Sequence, residues 1–206
     1  MLLNYEGTSF NLKKLEEFFM SKTHRLVMVA ILSAISFLLM FFSFSIIPGA
    51  DFLKIELSII PVLLGLVLMD LKSAYAILIL RSLLKLILNN SGVNDFIGLP
   101  MNILALGIFV TVFAVIWNNQ KTLKQYIGAS LIGTLSLTTA MLAFNYFYAI
   151  PLYAKFANFD IAAFIGIAKY LLAMVLPFNI IEGFIFAISF YIVYIASKPV
   201  LERYTN

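Results

Sequence analysis

The chain has 206 residues, of which 63% are hydrophobic, 12% are charged and none is cysteine. Soluble domains carry about 45–50% apolar and about 25% charged residues. This composition therefore excludes a soluble enzyme, a disordered chain and, despite a net charge of +4, a nucleic-acid binder. The lack of cysteine also excludes disulfides, cysteine-based metal sites and a thiol nucleophile. The high apolar and low charged content leaves an integral membrane protein as the class that fits.

Apolar runs along the chain predict six membrane helices. A helix needs about 20 apolar residues to cross a bilayer core of about 30 Å, and the second and third runs are marginal in length. In chain order the runs are Leu26 to Ile47, Ile59 to Met69, Ala74 to about Leu88, Ile97 to Trp117, Tyr126 to Ile150, and about Tyr170 to Ala196. We therefore expect an all-α membrane protein in which residues 25–206 form a six-transmembrane-helix bundle.

The N-terminal residues 1–24 are predicted to be a cytoplasmic extension. Within it, apolar and charged residues alternate at helical spacing over Asn11 to Phe19, which fits either an amphipathic surface helix or a frayed terminus.

Basic residues set the predicted orientation, because cytoplasmic loops are enriched in lysine and arginine. With the N-terminus inside, most basic residues fall on the cytoplasmic side: Lys13, Lys14, Lys22, Arg25, Lys72, Lys121, Lys124, Lys198 and Arg203. The outer segments then hold Lys54 and Lys155, with Lys169 at a membrane edge. We expect a multi-pass protein of the cell membrane with both termini in the cytoplasm. Aromatic residues near the span ends suit interfacial belts: Trp117, Tyr126, Tyr148, Tyr153, Tyr170 and Tyr204.

Charged side chains inside the predicted spans are candidate functional groups, because they are costly in lipid. Arg81 and Lys85 share one face of the third helix, where they line a water-filled cavity, pair with an acid or snorkel to the outer edge. Asn179 and Glu182 follow Pro177, which is expected to kink the sixth helix. Two interpretations stay open for Glu182: it recognises a ligand, or it pairs with Arg81 or Lys85 for structure.

Two further polar regions lie near the outer side. Asn145, close to Tyr148, fits either the edge of a heterocyclic ligand or an interhelical hydrogen bond. The first outer loop, residues 48–58, mixes apolar residues with Asp51, Lys54 and Glu56. It fits either a lid folded over the bundle or an ordinary connection.

Familiar catalytic motifs are absent from the sequence. It has no phosphate-binding G-x-x-x-x-G-K-[ST] loop and no G-x-S-x-G, and His24 has no second histidine beside it. We therefore predict no catalytic residue and no metal ligand, and an enzyme is not expected.

Several segments resemble the riboflavin-specific substrate-binding (S) subunits of energy-coupling factor (ECF) transporters, the RibU family. Phe52-Leu53-Lys54-Ile55-Glu56-Leu57-Ser58-Ile59-Ile60-Pro61 is similar to the family's F-L-K-x-[DE]-F-S-x-[IV]-P, and Pro177-Phe178-Asn179-Ile180-Ile181-Glu182-Gly183 to its P-F-N-x-x-K-G. Ser91-Gly92-Val93-Asn94-Asp95-Phe96 resembles a G-V-G-E-L loop with Asn-Asp in place of Gly-Glu. Ala30-x-x-x-Ala34 resembles the family's docking motif, and small residues at this spacing let another helix approach closely.

The resemblance implies that the chain captures riboflavin outside the cell and holds no cofactor of its own. A membrane T subunit and two cytoplasmic ATPases would move the vitamin inward, while the S subunit topples in the membrane. The alternatives are an S subunit for another vitamin or heterocycle, or a small membrane enzyme.

Under this resemblance, the outer loop is a lid between helices 1 and 2, and Ala30 and Ala34 dock the partner subunit. The expected ligand contacts are Leu53, Lys54, Arg81, Lys85, Asn145, Tyr148, Lys169, Asn179 and Glu182. Because Glu182 stands where the family has lysine, its carboxylate is expected to accept a proton from the flavin or the ribityl chain instead of providing a lysine contact.

Overall fold

The structure, a computed structural model, is a helical bundle with one small hairpin. It describes residues 6–47, 53–117 and 122–205, and the side chains of residues 22–47, 53–117 and 122–199. The main helices are α1 (Glu6–Leu39), α2 (Ile59–Leu68), α3 (Leu71–Leu88), α4 (Val93–Ile116), α5 (Leu123–Phe144) and α9 (Leu176–Thr205). Short helices α6 (Ile150–Phe156), α7 (Ile161–Phe164) and α8 (Ile167–Lys169) connect α5 to α9.

Four helical segments have the length and composition of membrane spans: Lys22–Leu39, Val93–Ile116, Leu123–Phe156 and Ile167–Pro199. These support the prediction of an all-α membrane protein. Helix α2 has ten residues and rises about 15 Å, half of a bilayer core of about 30 Å. Helix α3 has 18 residues, but Arg81 and Lys85 make it less apolar. Neither α2 nor α3 is therefore among the four spans.

The first predicted helix was wrong at its end, because α1 stops at Leu39 and not at Ile47. Beyond it, strand β1 (Phe44–Ser45) pairs antiparallel with strand β2 (Lys54–Ile55). Aromatic residues favour strands, and this pairing satisfies backbone groups that a longer helix would have bonded internally. The loop tip, residues 48–52, lies outside the described residues, and so does the prediction for Asp51. The segment that follows it turns into the protein, since the Ile55 and Ser58 side chains are fully buried.

Helix α1 includes most of the N-terminal residues 1–24, whose role as a cytoplasmic extension stays a prediction. This helix runs without a break from Glu6, so residues 11–19 are helical. Whether that stretch is amphipathic at a surface stays a prediction, because its side chains lie outside the described part of the chain.

Two π-helical segments interrupt the α-helical hydrogen-bonding pattern where α5 leads into α6 and where α8 leads into α9. The segment π1 covers Asn145–Ala149, and π2 covers Tyr170–Val175. The second ends two residues before Pro177, which has no backbone N–H and cannot continue the regular ladder. Because π-turns widen a helix and often occur at functional sites, these two segments direct attention to this end of the bundle.

Chain direction places the hairpin, the end of α3, the start of α4, π1 and π2 together at one end, here called the hairpin end. At the opposite end, Arg25 on α1 pairs with Asp70, which caps α3 by accepting the Ser73 N–H at 2.8 Å. Partial burial raises the pKa of the Asp70 carboxyl, but the hydrogen bonds from Ser73 and the Arg25 guanidinium outweigh it and hold this pKa below its usual value.

An aromatic cluster closes the end of the bundle that lies opposite the hairpin. Trp117 contacts Tyr126 and Tyr194 edge-to-face, with ring centroids 5.1 and 4.8 Å apart, and Phe113 packs against Tyr126 at 5.4 Å. The Tyr126 hydroxyl donates to the Ala187 carbonyl at 2.6 Å. Trp117 and Tyr126 are therefore buried core residues, with 6% and 5% of their surface exposed, and the interfacial belt predicted for them was wrong because their rings pack inside the protein. The Trp117 Nε1 group is buried without a hydrogen-bond partner in the described part of the chain.

Helices α5 and α9 approach each other closely at Gly183. A Cβ atom placed there would lie 2.5 Å from Thr134 Oγ1 and 2.7 Å from Thr134 Cγ2. The absence of a side chain at this position therefore sets the distance between the two helices.

We expect Gly183→Ala to destabilise the protein by about 1–3 kcal/mol, the usual cost of overpacking. Unfolding of the purified variant in detergent measures this. Gly128→Ala is the matched control, because its Cβ would meet one atom at 3.8 Å. Adding Thr134→Ala to Gly183→Ala removes two of the clashing atoms and should restore part of the loss. Equal stability of the Gly183 and Gly128 variants would contradict the close approach.

Candidate functional site

A cavity of about 150 Å³ opens at the hairpin end, and we call it the polar pocket. Its lining comes from the hairpin, α4, α5, both π segments, α6 and α9: Leu53, Lys54, Gly98, Met101, Asn102, Ala105, Leu106, Met141, Asn145, Ala149, Tyr153, Tyr170, Phe178, Asn179 and Glu182. Apolar surface with a few placed polar groups is typical of small-molecule sites.

One face of α4 forms a wall of the pocket. Gly98, Met101, Asn102 and Ala105 follow one another at spacings of three, one and three residues, which places them on one side of a helix. All but Asn102 are apolar or lack a side chain. The wall is therefore an apolar surface with a single amide group.

The two π segments are joined by a side-chain hydrogen bond at the pocket. The Tyr170 hydroxyl donates to Asn145 Oδ1 at 2.5 Å, and Asn145 Nδ2 donates to the Met141 carbonyl at 2.8 Å. Both side chains are buried. Tyr170 is therefore a pocket residue, and its predicted place in an interfacial belt was wrong because its hydroxyl bonds to protein.

Asn179 presents an acceptor without a partner. Its Nδ2 donates to the Val175 carbonyl at 2.7 Å, whereas its Oδ1 is buried and has no hydrogen-bond partner. Since a buried acceptor left unpaired costs about 1–3 kcal/mol, the group is suited to receive a ligand donor.

Glu182 is buried beside Asn179, with 7% of its surface exposed. No lysine or arginine in the described part of the chain forms an ion pair with it. Glu182 therefore does not pair with Arg81 or Lys85, which was one of its two predicted roles. Arg81 binds Glu56 instead, and Lys85 binds Asp95. Glu182 is one of the residues that line the pocket.

Arg81 lies fully buried behind the pocket, at the centre of a polar network. Its Nη1 donates to Glu56 Oε1 at 2.9 Å and to Ser58 Oγ at 2.6 Å, and its Nη2 donates to Asn102 Oδ1. Ser36 Oγ in turn donates to the Ser58 carbonyl at 2.5 Å. The network ties the segment after β2 to α1, α3 and α4.

The structure gathers five of the predicted ligand contacts in the pocket: Leu53, Lys54, Asn145, Asn179 and Glu182. It places the other four elsewhere. Arg81 stands behind the pocket wall, and Lys85 pairs with Asp95 at 3.1 Å and donates to the Asn89 carbonyl. Tyr148 packs in a side cluster with Ile97 and Met101, and Lys169 is exposed on α8.

Sequence reasoning missed several lining residues, above all Asn102, Tyr153 and Phe178. Asn102 carried a usable signal, since it is an amide within an apolar span, as Asn145 is. Phe178 stands beside Asn179 in the P-F-N segment, which was a usable signal, whereas Tyr153 carried none because aromatic residues are common throughout this chain.

Comparison with known proteins identifies relatives over nearly the whole chain. Residues 24–194 match the family model for the substrate-specific component of ECF transporters. The chain is 56% identical over 198 residues to the riboflavin transporter RibU of Streptococcus thermophilus, covering 96% of this chain and 94% of that protein. It is 44% identical to the RibU riboflavin transporter of Leuconostoc mesenteroides, covering 89% and 96% respectively.

A solved structure has the same fold. It is described as the S component of a bacterial ECF transporter, and it aligns with a TM-score of 0.73 and 27% identity. The alignment covers 87% of this chain and 98% of that one.

Proposed function

The chain belongs to the family of substrate-specific components of ECF transporters, and from this premise we propose that its polar pocket captures riboflavin for uptake into the cell. Its role is transport, and riboflavin is the cargo. The observation that carries the ligand assignment is the near full-length similarity to proteins named as riboflavin transporters. The chemistry of the pocket agrees with it.

Riboflavin combines a flat, largely apolar isoalloxazine ring with a polyhydroxyl ribityl chain. The ring has an N–H flanked by two carbonyl groups, so it both donates and accepts hydrogen bonds. The α4 wall suits the ring, while the unpaired Asn179 Oδ1 and the buried Glu182 carboxyl suit ligand donors. Asn145 and Lys54 are two further polar groups of the pocket, and we call Asn179, Glu182, Asn145 and Lys54 together the polar set. Arg81, Lys85, Tyr148 and Lys169 act outside this set.

The pocket faces the cell exterior in the proposed orientation. Both termini lie in the cytoplasm, so the hairpin end is outside and the aromatic cluster is inside. Six helices form the bundle. One of them is α2, which is long enough for only half of the bilayer and follows the buried segment after β2. The segment around Leu53 and Lys54 covers the pocket as a lid, held from beneath by Arg81 and Glu56.

Energy for uptake comes from partner subunits: a membrane T subunit and two cytoplasmic ATPases. Ala30 and Ala34 dock the T subunit. Both alanines are exposed on α1, whereas the neighbouring Leu32 and Ser33 face the bundle. Small exposed residues four apart allow a second helix to pack closely against this face.

Uptake of labelled riboflavin tests the proposal. Cells that express the chain with T and ATPase subunits should accumulate the label, and cells with an ATPase that cannot hydrolyse ATP should not. Unlabelled riboflavin should compete. Competition by thiamine, biotin or folate without competition by riboflavin would instead identify a binding subunit for another vitamin.

Asn179→Ala should weaken riboflavin binding by about 1–3 kcal/mol, because it removes the acceptor that the ligand pairs. Titration of the purified variant, followed by flavin fluorescence, gives the dissociation constant. Asn94→Ala is the matched control, since Asn94 is exposed and lies outside the pocket. An unchanged dissociation constant for the Asn179 variant would remove this residue from the site.

A further inference from the structure

We propose that Asn102 donates a hydrogen bond to a carbonyl oxygen of the isoalloxazine ring, and that Arg81 is the positioning residue that fixes its amide. The inference rests on the proposed function and adds a contact that neither the sequence motifs nor the polar set above contain. It follows from the network behind the pocket wall.

The orientation of the Asn102 amide is determined by its partner. A guanidinium group has donors and no acceptor, so the Asn102 atom that meets Arg81 Nη2 is the carbonyl oxygen Oδ1. The Asn102 Nδ2 group is then directed away from Arg81. Because Asn102 lines the pocket, its Nδ2 group presents N–H donors to the ligand, whereas its Oδ1 acceptor is already occupied by Arg81.

Arg81 is itself held in place, so the orientation is pre-organised. Glu56 and Ser58 bind its Nη1 at 2.9 and 2.6 Å, and the side chain has no exposed surface. A Glu56–Ser58 hydrogen bond of 2.9 Å closes the network. The guanidinium therefore cannot turn away from Asn102 without breaking several buried hydrogen bonds.

The surroundings of Asn102 select the ring over the ribityl chain. Its neighbours on the pocket wall are Met101, Ala105 and Leu106, which offer an apolar surface. A ring packed on this surface brings its carbonyl groups to the single amide. The ribityl hydroxyls require several polar partners, and those stand on other elements of the pocket, on π1, π2 and α9.

Asn102→Asp tests the contact directly. The aspartate keeps an acceptor for Arg81 but has no N–H, so a ring carbonyl loses its donor, whereas a ribityl hydroxyl would simply donate to the carboxylate. We expect the riboflavin dissociation constant to rise about tenfold or more, the usual cost of an unpaired buried acceptor. Asn90→Asp is the matched control, because Asn90 is exposed at the same end and its Oδ1 acceptor is kept.

Arg81→Lys tests the positioning role, and if Asn102→Asp does not fold, riboflavin binding by the Arg81→Lys single variant still tests the inference, because binding as tight as that of the unmodified protein would overturn it. Lysine keeps the charge for Glu56 but lacks the fork that reaches Asn102. The variant should bind riboflavin several-fold more weakly, and adding it to Asn102→Asp should cause no further loss. A purely structural Arg81 would weaken binding equally in both backgrounds, which would overturn the positioning role.

Failure of this inference is distinct from failure of the proposed function. If the unmodified protein binds riboflavin while Asn102→Asp binds as tightly as Asn90→Asp, the Asn102 contact is wrong and the function stands. If the unmodified protein does not bind riboflavin, the proposed function itself is wrong.

Discussion

Cells in which Ala30 or Ala34 is replaced by tryptophan should take up no riboflavin above background, although the purified variants bind it normally. The two alanines are exposed on α1, and neither lines the pocket at the hairpin end. An indole on this face prevents the close helix contact that docking to the T subunit requires. Transport of labelled riboflavin and fluorescence titration of the purified protein separate the two effects.

Ile31→Trp and Ile35→Trp are the controls for this experiment. Both isoleucines are exposed on α1, one residue further around the helix, and the same bulk there should leave uptake in place. Normal uptake by Ala30→Trp or Ala34→Trp would contradict the docking role of this face.

Arg81→Met should destabilise the protein by about 3–5 kcal/mol, since it leaves Glu56 without its charge partner inside the bundle. The free energy of unfolding in detergent measures the loss. Adding Glu56→Leu removes the stranded carboxylate and should recover most of it, because an apolar pair often replaces a buried ion pair at little cost.

Lys85→Met provides the comparison for Arg81. The Lys85–Asp95 pair is partly exposed, with each side chain 16% accessible, so its loss should cost far less than that of Arg81. If Arg81→Met were no less stable than Lys85→Met, the Arg81 network would not hold the hairpin segment to the bundle.

Sequence patterns predicted the helical membrane class and most helix positions, because apolar periodicity and turn residues are local signals. The run from Ile59 to Met69 became α2, ending one residue earlier, and the Asn89–Gly92 turn ends α3. The end of α1 was not predictable in this way. Residues 40–47 are apolar enough for a helix, and it is the pairing with Lys54 and Ile55 that makes part of them a strand.

The candidate site was predictable where polarity alone marks a residue. Asn145, Asn179 and Glu182 stand out in apolar spans, and all three line the pocket. The partners of Arg81 and Lys85 were not predictable, because pairing with Glu56 and Asp95 depends on how distant segments meet. The π segments were not predictable for the same reason, because the hydrogen bond that joins them links Tyr170 to Asn145, 25 positions apart in the sequence.

The most direct test of the account is the absorbance spectrum of the purified protein, followed by riboflavin titration of ligand-free material. We predict a yellow preparation with the absorbance of flavin. After ligand removal, added riboflavin should bind with submicromolar affinity and its fluorescence should be quenched. A colourless preparation that does not bind added riboflavin in this range would contradict the central claim that the polar pocket captures riboflavin.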